Sequence, residues 1–80
     1  MQVQVKRLKT VPHANPTDMD DKYVEAIITE LPQIGKSFVI HLCSDNWITT
    51  EVQEVSYTEG HLEIVTRNSA YRFKSGWKEN

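Results

Sequence analysis

The 80-residue chain has little cysteine and no long hydrophobic run. Its single cysteine, Cys43, cannot form an internal disulfide, whereas small secreted domains usually carry several cysteines. No hydrophobic run approaches the roughly 18–20 residues that a membrane helix needs. The first ten residues lack the apolar core of a secretory signal. We therefore expect a cytoplasmic protein that does not bind a membrane.

The sequence also lacks the motifs of catalysis and metal binding. A chain of this length buries only about 60% of its unfolded surface, which leaves little interior for a deep substrate pocket. Cys43, His41, His61 and Asp45 supply the residue types of a thiol active site, but no local signature surrounds the cysteine. The same two histidines and cysteine could approach a zinc ion, yet the paired spacings of zinc knuckles are missing. We predict no enzyme, no metal and no cofactor.

The hydrophobic pattern predicts short strands separated by turns. Residues 2–8 alternate between polar and apolar, as half-buried strands do. Residues 10–22 contain two prolines and three aspartates and predict a loop. Residues 23–31 fit a helix as well as a strand, and we favour the strand because β-branched residues are frequent and a proline follows. Residues 75–80 are expected to form a C-terminal tail.

The segment WITTEVQEVSY contains a slip of one residue in its alternation. Ile48, Thr50 and Val52 keep one phase. Val55 and Tyr57 keep the other. A slip of this kind is what a β-bulge produces, and we place the bulge near residues 53–54. All five side chains are then expected to face the core.

Five or six strands with turns every 8–12 residues indicate a small barrel or sandwich. We predict a mostly β, five-stranded, SH3-like antiparallel barrel that spans residues 1–80 as a single domain. The alternative is an α+β fold in which one helix at about 18–31 packs on a four-stranded sheet.

Residues 47–73 contain WITTEVQEV followed by IVTRNSAYRF. This arrangement resembles a pattern in short uncharacterised proteins of phages and other mobile elements, in which a TT-x-V strand precedes a T-x-N-S-x-Y-R strand pair. The resemblance covers about a third of the chain. It implies an SH3-like barrel and a phage or prophage origin, and it supplies no catalytic or ligand-binding residues.

Charge is distributed unevenly along the chain. Residues 1–17 are basic, residues 18–63 hold ten acids against two lysines, and residues 64–80 are basic again. A small barrel often places its first and last strands side by side, which would gather the basic residues beside an aromatic platform suited to nucleic acid. The candidate residues for nucleic-acid binding are Lys6, Arg7, Lys9, Arg67, Arg72, Lys74 and Trp77. The low pI of about 5.8 weighs against this function.

The favoured function is a small non-catalytic module that binds another protein, in the manner of a phage regulatory protein. Tryptophan is enriched at the centres of protein interfaces, and adjacent carboxylates would attract a basic partner. The candidate protein-binding residues are Trp47, Glu51, Glu54 and Trp77. The sequence leaves open whether the partner is a second copy of the chain. Nucleic-acid binding is the alternative function, and its steep salt dependence would distinguish it.

Overall fold

The computed structural model describes residues 1–20, 22–43, 45–58 and 60–75, and these residues form strands, turns and loops without a helix. The strands are β1 (Gln2–Thr10), β2 (Val24–Ile27), β3 (Val39–Leu42), β4 (Asn46–Ile48), β5 (Val52–Thr58), β6 (His61–Thr66) and β7 (Ser69–Ser75). The all-β prediction is confirmed, and the alternative with a helix at 18–31 is wrong. None of the described residues belongs to a helix that is long and apolar enough to cross a membrane.

The seven strands form one antiparallel sheet in the order β4-β3-β2-β1-β7-β6-β5. This corrects the predicted architecture, since an open seven-stranded sheet replaces the closed five-stranded barrel. The long strand expected over residues 47–57 is divided into β4 and β5, which lie at opposite ends of the sheet. The first and last strands, β1 and β7, are neighbours, as we predicted when we placed the basic residues of the two chain ends side by side.

Hydrogen bonds at Thr49 mark the division between β4 and β5. Its hydroxyl accepts a bond from the Phe38 backbone N–H at 3.0 Å and donates one to the Thr50 carbonyl at 2.7 Å. Its own backbone N–H donates to the Phe38 carbonyl at 2.9 Å. These bonds satisfy the buried polar groups locally, so the chain can leave the ladder of β3 without orphaned donors.

The sheet is curled, so that its two ends approach each other at the start of β5. The Val52 N–H donates to the Lys36 carbonyl at 2.9 Å, and the Val52 carbonyl accepts from the Gly35 N–H at 2.8 Å. Gly35 has a φ of 93°, a backbone conformation that glycine adopts without steric cost. The Phe38 ring meets the Phe73 ring edge-on with centroids 5.7 Å apart. The contact at Val52 therefore joins the ends locally, and no strand pairing among the described residues extends it.

The core fills the concave side of this curled sheet. Met19, in the loop after β1, has no exposed surface and closes the core from the loop side. The Arg7 N–H donates to the Met19 carbonyl at 2.8 Å, which fixes this part of the loop against β1. The loop predicted at residues 10–22 begins one residue later, because Thr10 still pairs with Ser69. The buried hydrophobic residues are Val3, Val5, Met19, Ala26, Ile28, Phe38, Ile40, Val52, Leu62, Ile64, Tyr71 and Phe73.

The predicted bulge in β5 is confirmed. Val52 pairs with Thr66 and Glu54 pairs with Val65, so Gln53 is the extra residue of the ladder. A bulge bends its strand and increases the local twist, which suits a strand that starts at the meeting point of the two ends.

Two of the five expected core positions around the bulge are wrong. Val52 is buried, and Thr50 and Val55 are half-buried. Ile48 is 66% exposed and Tyr57 is 68% exposed. Ile48 belongs to β4, where its neighbours Trp47 and Thr49 take the inward positions. Tyr57 lies on the last strand of the sheet, so nothing in the described chain packs over it.

Turn-forming residues in the sequence predict three tight connections, at residues 32–35, 58–61 and 67–70. The second is confirmed, since Gly60, with a φ of 81°, belongs to the tight turn between β5 and β6. The third is shorter than predicted, at residues 67–68, because β7 begins at Ser69. The first is wrong, since the connection between β2 and β3 spans residues 28–38, of which residues 35–36 bind the start of β5. Residues 76–80 of the expected tail lie outside the described residues, and Trp77 is among them.

Candidate binding surfaces

The two edge strands of the sheet differ in how well they are protected from further strand pairing. Natural edges are usually blunted by shortness, by charged residues or proline, or by bulges. β4 is only three residues long, whereas β5 has seven. The bulge and Glu54 protect the first half of β5, but its second half, Val55–Thr58, contains no charge, proline or glycine. Within the described part of the chain, the second half of β5 is therefore an unprotected edge.

The backbone directions in β5 follow from its two ends. At the start, the Val52 N–H and carbonyl point away from β6 and toward residues 35–36. At the other end, Thr58 pairs with His61 across a two-residue turn, which places these two residues in a hydrogen-bonded pair. Since hydrogen-bonded and open pairs alternate, the backbone groups of Val55 and Tyr57 point away from β6. We call this side of the strand the free edge of β5.

The predicted protein-binding residues are only partly brought together. Glu54 is exposed within β5, and Glu51 is exposed in the connection before it. The Glu51 carboxylate lies 3.9 Å from the Arg67 guanidinium, in a solvent-exposed ion pair. Trp47 is half-buried on the concave side, away from the free edge, and Trp77 lies outside the described residues. The sequence analysis missed Tyr57 as a surface residue because its phase matched the core.

A basic cluster lies on the convex face of β1 and β7. Lys6 is directly opposite Arg72, and Lys74 is opposite Gln4. After a bulge between Arg7 and Lys9, Lys9 is opposite Ala70 on the same face. The convex cluster therefore consists of Lys6, Lys9, Arg72 and Lys74, four of the residues proposed for nucleic-acid binding.

The convex cluster is partly engaged by its neighbours. The Lys74 ammonium lies 4.2 Å from the centroid of the Tyr23 ring, and the Lys6 ammonium lies 5.7 Å from it. Arg72 binds the Glu63 carboxylate at 2.6 Å, and this hydrogen bond is the main reason that the pKa of Arg72 is raised. The sequence analysis missed Tyr23, since it stood at the ambiguous start of residues 23–31.

Arg7 does not belong to the convex cluster, which corrects its predicted role. Its side chain is 2% exposed and faces the concave side. The guanidinium donates to both Asp20 carboxylate oxygens, at 2.7 and 2.9 Å, and to the Asn15 carbonyl at 2.9 Å. The hydrogen bond to Asp20 raises the pKa of Arg7, and the reciprocal bond lowers the pKa of Asp20. Arg7 is therefore a buried, paired cation that cannot reach a phosphate backbone.

The concave residues Arg7, Trp47 and Tyr71 meet at the floor of a cleft. The Trp47 indole N–H donates to the Tyr71 hydroxyl at 2.8 Å, and the Arg7 guanidinium carbon lies 5.4 Å from the centroid of the Trp47 ring. The cleft has a volume of about 250 Å³ and opens between residues 13–15, the end of β4 and the turn that leads into β7. We call it the Trp47 cleft.

His61 is separated by the sheet from His41 and Cys43, with which it was considered for zinc. His41 lies on β3 and His61 on β6, with β2, β1 and β7 between them. The His41 Nδ1 atom hydrogen-bonds to the Asn46 side-chain oxygen at 2.9 Å, and Cys43 is exposed. Among the residues that the structure describes, no group of three or more potential ligands could hold a metal ion.

The sequence matches no family model, and comparisons with curated proteins and with solved structures found no match. Function is therefore inferred from the geometry of the three surfaces: the free edge of β5, the convex cluster and the Trp47 cleft.

Proposed function

We propose that the chain is a small non-catalytic protein-binding module whose partner adds an extended strand to the free edge of β5. The observation that carries this proposal is the unprotected second half of β5, where Val55 and Tyr57 direct backbone groups away from β6. Strand addition is a common mode of peptide recognition, in which main-chain hydrogen bonds give affinity and alternating side chains give specificity. An edge of this kind invites aggregation unless a partner occupies it.

The side chains of β5 indicate which peptide fits. Tyr57 lies opposite Leu62, on the concave side, and exposes 68% of its surface. Cross-strand contacts between aromatic and β-branched residues stabilise antiparallel pairs, so the peptide should carry such a residue beside Tyr57. Glu54 is exposed nearer the start of the strand and favours a basic residue in the peptide.

A displayed library of random short peptides tests this proposal with two variants at one position. Y57P removes the N–H that points to the free edge, and proline is tolerated on edge strands. Y57T keeps that N–H and replaces the aromatic ring with a residue that favours strands. Peptides selected on the parent chain should bind Y57T more weakly and should not bind Y57P. Equal binding to the parent and to a folded Y57P would contradict strand addition.

Three expectations from the sequence accompany this proposal. The SH3-like relationship is supported by a curled antiparallel sheet whose ends meet at Val52. The phage or mobile-element origin is carried by the sequence resemblance. The cytoplasmic location is carried by the single cysteine and by the composition. All three stay predictions.

Nucleic-acid binding through the convex cluster is the second candidate function. The alignment of Lys6 with Arg72 on adjacent strands favours it, because phosphate groups are bound by cations that share one face. Binding of a single-stranded oligonucleotide should then weaken steeply with salt, and K6Q should reduce both the affinity and the salt slope. The control K36Q, in the loop before β3, should leave both unchanged. If K6Q does not alter the affinity for the oligonucleotide, the convex cluster is excluded as the nucleic-acid-binding surface.

A further inference from the structure

The Tyr71 hydroxyl lies on the floor of the Trp47 cleft, and its proton has no acceptor among the residues that the structure describes. Tyr71 is 2% exposed, and its hydroxyl oxygen accepts the Trp47 indole N–H. Indole and guanidinium groups are donors only. Neither Trp47 nor Arg7 can accept the Tyr71 proton, and no hydrogen bond donated by Tyr71 occurs among the described residues.

Arg7 supplies a second donor at the same place. Asp20 and the Asn15 carbonyl occupy its Nε and Nη2 atoms. The neighbouring Tyr71 oxygen can accept only one of the two Nη1–H groups, and the other has no acceptor within the described part of the chain. Arg7 lines the Trp47 cleft together with Tyr71. Buried donors normally find an acceptor, and leaving one unpaired costs free energy. Two buried donors therefore converge where an acceptor from outside the chain can enter.

We propose that the Trp47 cleft binds a carboxylate attached to a small apolar or aromatic group. The carboxylate would accept the Tyr71 O–H and an Arg7 Nη1–H, since ionised acceptors form the stronger hydrogen bonds with such donors. Trp47, Ile48 and Ala14 line the same cleft and offer apolar surface to the attached group.

The size and the local charge fit this ligand. An engineered protein cavity of roughly 150 Å³ holds benzene, so about 250 Å³ accommodates an aromatic ring with a carboxylate. Asp20 already neutralises the charge of Arg7, so the cleft offers hydrogen-bond donors with little net positive charge, which suits a singly charged carboxylate better than a multiply charged phosphate. The site is separate from the free edge of β5, and the inference does not depend on strand addition there.

Benzoate titrated into the full chain tests the site, with benzylamine as a cationic control of similar size. The resonances of the Trp47 indole N–H and the Arg7 guanidinium should shift and saturate with benzoate and should not respond to benzylamine. Y71F removes the donor and should weaken benzoate binding at least tenfold, whereas Y57F, on the free edge, should leave it unchanged. The source of the carboxylate is distinguished by a short peptide that ends in phenylalanine. If the free-acid peptide binds more tightly than benzoate and C-terminal amidation abolishes its binding, the ligand is a protein C-terminus. If benzoate binds more tightly than the peptide, the ligand is a small molecule.

Three results would overturn the proposal. The first is that benzoate gives no saturable shift at Trp47, which would mean that water alone satisfies Tyr71. The second is that a folded Y71F binds benzoate as well as the parent does. The third is that benzoate shifts the resonances of Lys6 and Lys74 rather than those of Arg7 and Trp47. This result is measured in the parent alone, so it does not depend on how Y71F folds.

Discussion

Replacing Asp20 by asparagine should cost much of the stability of this domain, because it leaves the buried Arg7 charge without its counter-ion. Breaking a buried ion pair by removing one partner costs about 3–5 kcal/mol. Asparagine retains one acceptor oxygen, and the Asp20 side chain is 30% exposed, so we expect a loss of about 3 kcal/mol, at the lower end of this range. A domain of this length is stable by roughly 4–12 kcal/mol, so the loss is a large fraction.

Urea unfolding followed by tryptophan fluorescence measures the effect. D20N should lower the urea midpoint at an unchanged m-value, and it should lower the melting temperature by about 12–24 °C, at 4–8 °C per kcal/mol. The matched control is E63Q. Glu63 binds Arg72 at 2.6 Å and Asp20 binds Arg7 at 2.7 Å, and the two acids are 31% and 30% exposed.

The two ion pairs differ in how deeply the cation is buried. The Arg7 side chain is 2% exposed, whereas the Arg72 side chain is 37% exposed. Solvent-exposed pairs contribute little, so E63Q should unfold close to the parent. If D20N and E63Q shift the urea midpoint by the same amount, burial of the cation does not determine the cost, and the reasoning fails.

Three further predictions concern the fold. The lowered pKa of Asp20 means that its contribution is complete above the ordinary aspartate pKa near 3.9 and is lost as the pH falls through the lowered value, so acid unfolding below about pH 4 should be steeper in the parent than in D20N. T49V should cost about 1–3 kcal/mol in urea unfolding because the buried Phe38 N–H loses its acceptor, and T49S, which restores the hydroxyl, should recover most of the loss. Deleting the bulge residue Gln53 should be tolerated far better than deleting Ser56, which shifts the ladder and turns its inward residues outward; equal melting temperatures of the two deletions would contradict the assigned register.

The strands were predictable where each half of a hairpin alternates and a turn residue marks the connection. β6 and β7 with the turn at residues 67–68 follow this rule, and so does the bulge at Gln53. The separation of β4 from β5 was not predictable from pattern alone. At the division, Thr49 bonds to Phe38, eleven residues earlier, and no local property of a threonine in a β-rich segment indicates that contact.

The burial of Arg7 could have been predicted from the sequence, but its charge suggested a surface position. Val3 and Val5 face the core, and residue 7 shares their parity, so alternation alone places Arg7 inside. Its counter-ion Asp20 was one of several acids in the following loop, and only the folded loop distinguishes it. Tyr71 shares the parity of the buried Phe73, so alternation alone places its ring inside, but the pairing of its hydroxyl with Trp47 joins residues 24 positions apart.

Amide hydrogen exchange along β5, measured with and without a peptide selected on the parent chain, tests the central claim most directly. In the free protein, the Ser56 and Thr58 amides should exchange slowly because they bond to β6, while the Val55 and Tyr57 amides should exchange quickly. Saturating peptide should slow Val55 and Tyr57 and leave the other two unchanged. Fast exchange at Val55 and Tyr57 in the saturated complex would contradict strand addition at the free edge of β5.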